Sequence, residues 1–177
     1  KTNIPEKEKS IEAMFENCEE RKKIIADSPD HYKVRLEKAK HDLSRAMVEF
    51  EDKCYDWTVI MAYYSIHHAA NALLSKNKGL FSKDHVCLIL SLYKYKLIEK
   101  TLFNELININ DKFSDILSLD ITFQLRKIGQ YGVDEWKEIS EKDSKIITDL
   151  AKRFIKFVEE EIAKSGMFKS GLSSKIL

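Results

Sequence analysis

"WTVIMAYYSIHHAANALLS", residues 57–75, runs for nineteen positions without an Asp, Glu, Lys or Arg, in a chain that is 33 % charged. Its length suits a membrane span, which needs about 20 mostly apolar residues. Its content does not. His67, His68, Asn71, Ser65 and Ser75 would each need a partner where there is no water, and the sequence has no second apolar run of this kind. The stretch therefore reads as a central helix of a non-membrane domain. At 100° per residue, Val59, Ala62, Tyr63, Ile66, Ala69, Ala70 and Leu73 form one apolar side. Trp57, Tyr64, His68, Asn71 and Ser75 fall opposite, with His67 at the margin. That second side is polar but uncharged, so it is buried too, as a hydrogen-bonded interior, a dimer seam or the lining of a cleft.

Composition supports a helical domain. The 177 residues suit one domain, and five glycines and two prolines with interspersed Lys and Glu suit helices better than a sheet. A formal charge of +1 gives no global attraction to nucleic acid or acidic membranes. Any basic patch must be local. Cys18, Cys54 and Cys87 are far apart and odd in number, which suits neither a zinc site nor a disulfide framework. The expectation is reduced thiols and a cytoplasmic location.

Outward from the central stretch, apolar residues recur at helical spacing. The first helix, with Ile11, Met14, Phe15, Cys18, Ile24 and Ile25, stops at Ser28-Pro29. Val34, Leu36, Ala39, Leu43, Ala46, Met47 and Phe50 mark a second over 31–51. The central helix covers 54–76 with Gly79 as its stop, and Ser82 caps a fourth over 83–97. "EKTLFNELININDKFSDILSL" is another, "ITFQLRKIGQYG" a short one, and a long one spans 140–164. No strand pattern stands out. The fold expectation is all-α: an up-and-down bundle with a four-helix core plus extra helices.

Residues 36–85 carry more than a helix pattern. Leu36, Lys38, Ala39, Leu43 and Ala46 open it; Ala62-Tyr63-Tyr64, then His68-Ala69-Ala70 with Ala72, Leu73 and Leu74, and then His85 follow. "RKIGQYG" at 126–132 and "LAKRFIKFVEEEI" come later. This series resembles the small prokaryotic HEPN domains, whose pattern is A-Y-Y, H-A-A and R-x-x-A-D-Y-G in that order. The resemblance divides the chain into an N-terminal helix at 1–29 outside the pattern, a HEPN-like bundle at 30–165 and a flexible tail at 166–177.

The resemblance implies a dimer. It further implies either a metal-independent ribonuclease with an R-x(4–6)-H motif or a non-catalytic binding partner of a nucleotidyltransferase, as in toxin–antitoxin pairs. A ribonuclease needs a cation on the scissile phosphate and a histidine to move a proton. Arg126 takes the arginine position, but Tyr131 stands where the histidine belongs, and a phenol with pKa about 10 is a poor base. No histidine follows His85. Val133 replaces the tyrosine that toxin-type members present, and Gln130 replaces the family Asp. The expected function is thus a dimeric binding module for nucleotide or RNA. A divergent ribonuclease using Arg126 with Tyr131 or His68 and a purely structural helical protein are the alternatives.

The candidate binding residues are Tyr64, His68, Asn71, Arg126 and Tyr131, with Arg126 and Tyr131 the candidates for any catalysis; no metal or cofactor is expected. Arg126 is alternatively a buried arginine paired with Glu49 or Asp52. His85 is expected in a solvated first turn, and His31 and His41 on the surface. A shared cleft requires the helix carrying Arg126 to end before Tyr131, and Gly129 and Gly132 allow that.

Overall fold

The computed structural model describes residues 8–117 and 139–171. In chain order these form α1 (Glu8–Glu20), β1 (Ile24–Ala26), a 3-10 turn (Pro29–His31), α2 (Tyr32–Glu51), α3 (Tyr55–Lys78), β2 (Leu80–Ser82), α4 (His85–Lys94), α5 (Lys100–Leu117) and α6 (Glu141–Gly171). The all-α bundle is as expected. The segment 118–138, with Arg126, Tyr131 and the short helix assigned to them, lies outside the described residues, as does the end of the tail. The last helix continues to Gly171, past the boundary set for the tail.

The central stretch is α3, and it is central in space. It packs chiefly on α2 and α6, and also on α4. Small residues permit close approach: Ala39 and Ala46 of α2 and Ala62, Ala69 and Ala72 of α3 are all fully buried. Leu73, Leu74, Leu88, Leu90, Phe103, Ile147 and Phe154 fill the space around them. Gly79 ends α3 in the left-handed conformation at φ 64°, and its N–H returns to the Ser75 carbonyl.

Three local expectations change. The first helix stops at Glu20, not at Ser28, because Lys22 takes a positive φ of 52° and the Lys23 N–H closes on the Cys18 carbonyl. Ile24 and Ile25 are then strand residues: β1 pairs antiparallel with β2, Ile25 opposite Phe81. β-branched neighbours suit that backbone, but three residues are too few to show an alternation. The cap of α4 is Asp84, whose carboxylate accepts from the Cys87 N–H at 3.1 Å. Ser82 instead gives its hydroxyl to the Lys23 carbonyl at 2.8 Å.

The cysteine expectation is also corrected. Folding α1 back over α4 brings Cys18 and Cys87 together as a disulfide, Cα–Cα 5.7 Å, and leaves Cys54 free. The odd count reflects one bridge and one thiol. With Cys18 and Cys87 joined, the cysteines no longer argue for a cytoplasmic location. Among the described residues no helix is long and apolar enough to cross a membrane.

Candidate functional site

Asn71 is fully buried about two turns before the end of α3. Its Oδ1 accepts from the Ser82 N–H at 3.0 Å, and its Nδ2 donates to the Ser82 carbonyl at 3.0 Å. The side chain thus acts as a short strand for β2 and holds the β2–α4 corner against α3. Expected as a ligand contact, Asn71 is placed as scaffold.

One turn further, Ser75 is buried in a second cluster. Asp27, after β1, receives Ser75 Oγ at 2.7 Å, His31 Nδ1 at 2.7 Å and a close Arg35 guanidinium. Burial raises the Asp27 pKa, but the hydrogen bonds from Arg35, Ser75 and His31 outweigh it, and the carboxyl stays well below its ordinary range. Arg35 also lies over the Phe81 ring, 4.5 Å from its centre. The cluster ties the loop after β1 to α2, α3 and β2.

Fixing Asn71 determines the state of His67. Because Oδ1 faces Ser82 N–H, Nδ2 also points back at His67 Nε2, 3.1 Å away, which must therefore accept and carry no proton. The His67 ring meets His85 at 4.5 Å between centroids, and His85 meets Tyr63 at 4.9 Å. Burial first, and the neighbouring His85, His68 and Arg35 charges next, push the His67 pKa down to about 3. Burial lowers His85 as well, with Asp84 opposing. His85 was expected in a solvated turn; it is half-buried, and among the described residues its Nδ1 has no hydrogen-bond partner. Tyr63, buried, donates its hydroxyl to Asn110 Oδ1 at 2.8 Å and so pins α5 to α3.

Tyr64 and His68, four residues apart, share one side of α3 as the spacing predicts. Their rings lie 6.4 Å apart at 29°, near parallel, and both are half-buried. His68 Nε2 faces Asp42 Oδ2 at 3.6 Å. Asp42 is 2 % exposed; its other oxygen takes a close Lys38 ammonium and His41 Nδ1 at 3.2 Å, while among the described residues Oδ2 has no hydrogen bond. On α2, Arg35, Lys38, His41 and Arg45 occupy one flank by helical spacing. A ring pair therefore sits beside basic groups, with one buried carboxylate between them. Tyr64 and His68 are brought together; whether Arg126 and Tyr131 join them lies outside the described residues. His31 and His41 are exposed as expected, each against a carboxylate.

Asp42 was missed in the sequence, although a signal existed. It lies on the stripe of Ala39, Leu43 and Ala46, where an acid is out of place, and Lys38 precedes it by four residues. His67 and His85 give no comparable sign.

A separate groove of about 590 Å³ runs between α1, the α4–α5 turn and α6, lined by Phe15, Tyr93, Leu97 and Phe157 among others. It shares no residue with the ring cluster. Three of the acids that line it are engaged: Glu8 with Tyr93 and Lys100, Glu12 with Lys94, and Glu161 with Lys164. The ring cluster is the stronger candidate because its carboxylate is buried and one oxygen has no hydrogen bond among the described residues. Among the described residues no group of three or more His, Cys, Asp or Glu could hold a metal ion.

Comparison with known proteins agrees with this architecture. The model of the HEPN domain matches residues 32–161. A UPF0332 protein of Archaeoglobus fulgidus is 29 % identical over 133 residues, covering 71 % of this chain and 96 % of the relative. α1 and β1 lie before the matched span.

Proposed function

Since the chain belongs to the HEPN domain family, we propose that it is a helical binding module that receives nucleotide or RNA on the Tyr64–His68 flank of α3. The observation that carries this reading is the near-parallel ring pair beside the basic flank of α2. A base stacked on an aromatic ring gains about 1–3 kcal/mol, and Lys38, His41 and Arg126 are suited to its phosphates. Arg126 occupies the family's arginine position, and Tyr131 adds a hydroxyl where proton transfer would need an imidazole. The module works as a homodimer and beside a nucleotidyltransferase partner, the arrangement that the non-catalytic reading of the family implies.

Fluorescence anisotropy with a labelled oligoribonucleotide tests the reading. Tyr64→Ala and Arg126→Ala should each weaken binding by about tenfold, the size of one lost stack or charge-assisted contact. The RNA should remain intact without metal, and light scattering should give twice the 20.7 kDa chain mass. Unchanged affinity in both variants would refute the site.

The second reading, a divergent ribonuclease, is favoured by the His68–Asp42 pair, since a carboxylate-oriented imidazole is what proton transfer at a ribose hydroxyl requires. Metal-independent cleavage that Arg126→Ala and His68→Gln both abolish would establish it in place of the binding module.

A further inference from the structure

His68 is held between a buried acid and the surface. Its Nε2 faces Asp42 Oδ2 at 3.6 Å, and that oxygen has no other donor among the described residues. A carboxylate that is 2 % exposed with one bare oxygen is costly, and the imidazole N–H is the group placed to relieve it. Once Nε2 carries the hydrogen toward Asp42, Nδ1 is the ring nitrogen left for a ligand. A neutral imidazole has only one N–H, so Nδ1 is then an acceptor, and a phosphate oxygen is an acceptor as well. The two can bond only if the ring gains a second proton. We infer that a nucleotide phosphate bound at this flank is held by Nδ1 of His68, and that binding takes up one proton from solvent, with buried Asp42 as the counter-charge.

This deepens the nucleotide reading and rests on it. The groups around His68 set its direction. From α2 these are Asp42, Lys38 and Arg35, with His41 acting through Asp42; from α3 they are Tyr64 and His67, and behind His67 stands His85 of α4. Burial holds the empty ring below its ordinary pKa, Asp42 pulls it up, and Lys38 and Arg35 push it down. The empty ring is therefore neutral near neutral pH, and a bound anion supplies the charge that favours protonation.

The test uses the full chain and a short 5′-hydroxyl oligouridylate, whose diesters and bases do not titrate in the range. Binding should tighten about tenfold between about pH 7.5 and about pH 5.5, one unit of coupling. In His68→Gln, which keeps a donor, the pH dependence should disappear. In Asp42→Asn the tightening should move to lower pH, because the counter-charge is gone. Calorimetry of the unmutated protein in two buffers of different ionisation heat reads the proton directly and requires no variant to fold. Equal affinity at both pH values, no net proton uptake, or a pH dependence that survives in His68→Gln overturns the inference and leaves the proposed function standing. No binding at either pH overturns both.

Discussion

Asn71 commits its amide oxygen and nitrogen to the Ser82 backbone, and the remaining direction of its NH2 fixes the neighbouring imidazole. A proton on His67 Nε2 would face an N–H, so the ring resists acid. The consequence for stability has a definite sign. The folded pKa is lowered to about 3 from 6.5. The unfolded chain therefore binds a proton below about pH 6.5 that the folded chain refuses, and stability falls as pH drops through that window. One such group gives a slope of up to about 1.4 kcal/mol per pH unit. His68 and His85 are lowered in the same direction and add to it, whereas Asp27, a depressed carboxylate, matters only further into acid. Urea unfolding between about pH 7.5 and about pH 4.5 should show this loss, and His67→Phe should flatten it by nearly one proton. An identical slope in that variant would show that His67 is not the group being charged. None of this was legible at the residue itself: the sequence placed His67 at a face margin, and only the position of Ser82 decides what Asn71 can offer it.

Among the elements, α2 through α4 were legible because each carries a sustained 3.6-residue period or a clean stop. α1 and β1 show where such reading ends. Ile24 and Ile25 continue the spacing of Ile11, Phe15 and Cys18, yet the chain turns at Lys22 because β2 offers a backbone partner, a long-range fact absent from the local pattern. The disulfide was hidden for the same reason, its cysteines standing 69 positions apart in sequence. That separation gives its mechanical weight. In the chain-entropy account a loop of this length stabilises the fold by about 4 kcal/mol. α1 otherwise rests on buried Ile11 and Phe15 and on exposed ion pairs such as Glu12–Lys94, and exposed pairs contribute little. Cys18→Ala should therefore lower unfolding stability by about 2–4 kcal/mol, and hydrogen exchange should quicken in α1 well before α3. Addition of a thiol reductant should reproduce the effect in the unmutated protein. Equal stability in all three samples would mean that Cys18 and Cys87 are not joined.

At the scale of the molecule, the uncharged side of α3, offered by the sequence as a hydrogen-bonded interior, a dimer seam or the lining of a cleft, is partly used within the chain. Ile11 and Phe15 are buried within the chain, in the same core cluster as α4, and Asn71 and Ser75 are covered within it too. The proposed dimer must therefore use other surface. The α2 flank beside the half-buried rings of Tyr64 and His68 has a small charge inventory. The chain carries 30 Lys and Arg against 29 Asp and Glu, so there is no broad basic field to gather counterions from a nucleic acid. Many of the lysines and arginines are matched by carboxylates: Arg35 by Asp27, Lys38 by Asp42, Arg45 by Glu49 and Lys40 by Glu159. Each such pair reduces the charge available to a phosphate. A single-stranded RNA on this flank should then displace about two to four counterions, and log K should fall against log salt with a slope of about −1 to −3. Base stacking supplies the salt-independent remainder. Anisotropy from about 50 to 300 mM KCl measures the slope over a span that changes screening appreciably. A slope several-fold steeper would require a continuous basic surface, and would move the binding site away from Tyr64 and His68 altogether.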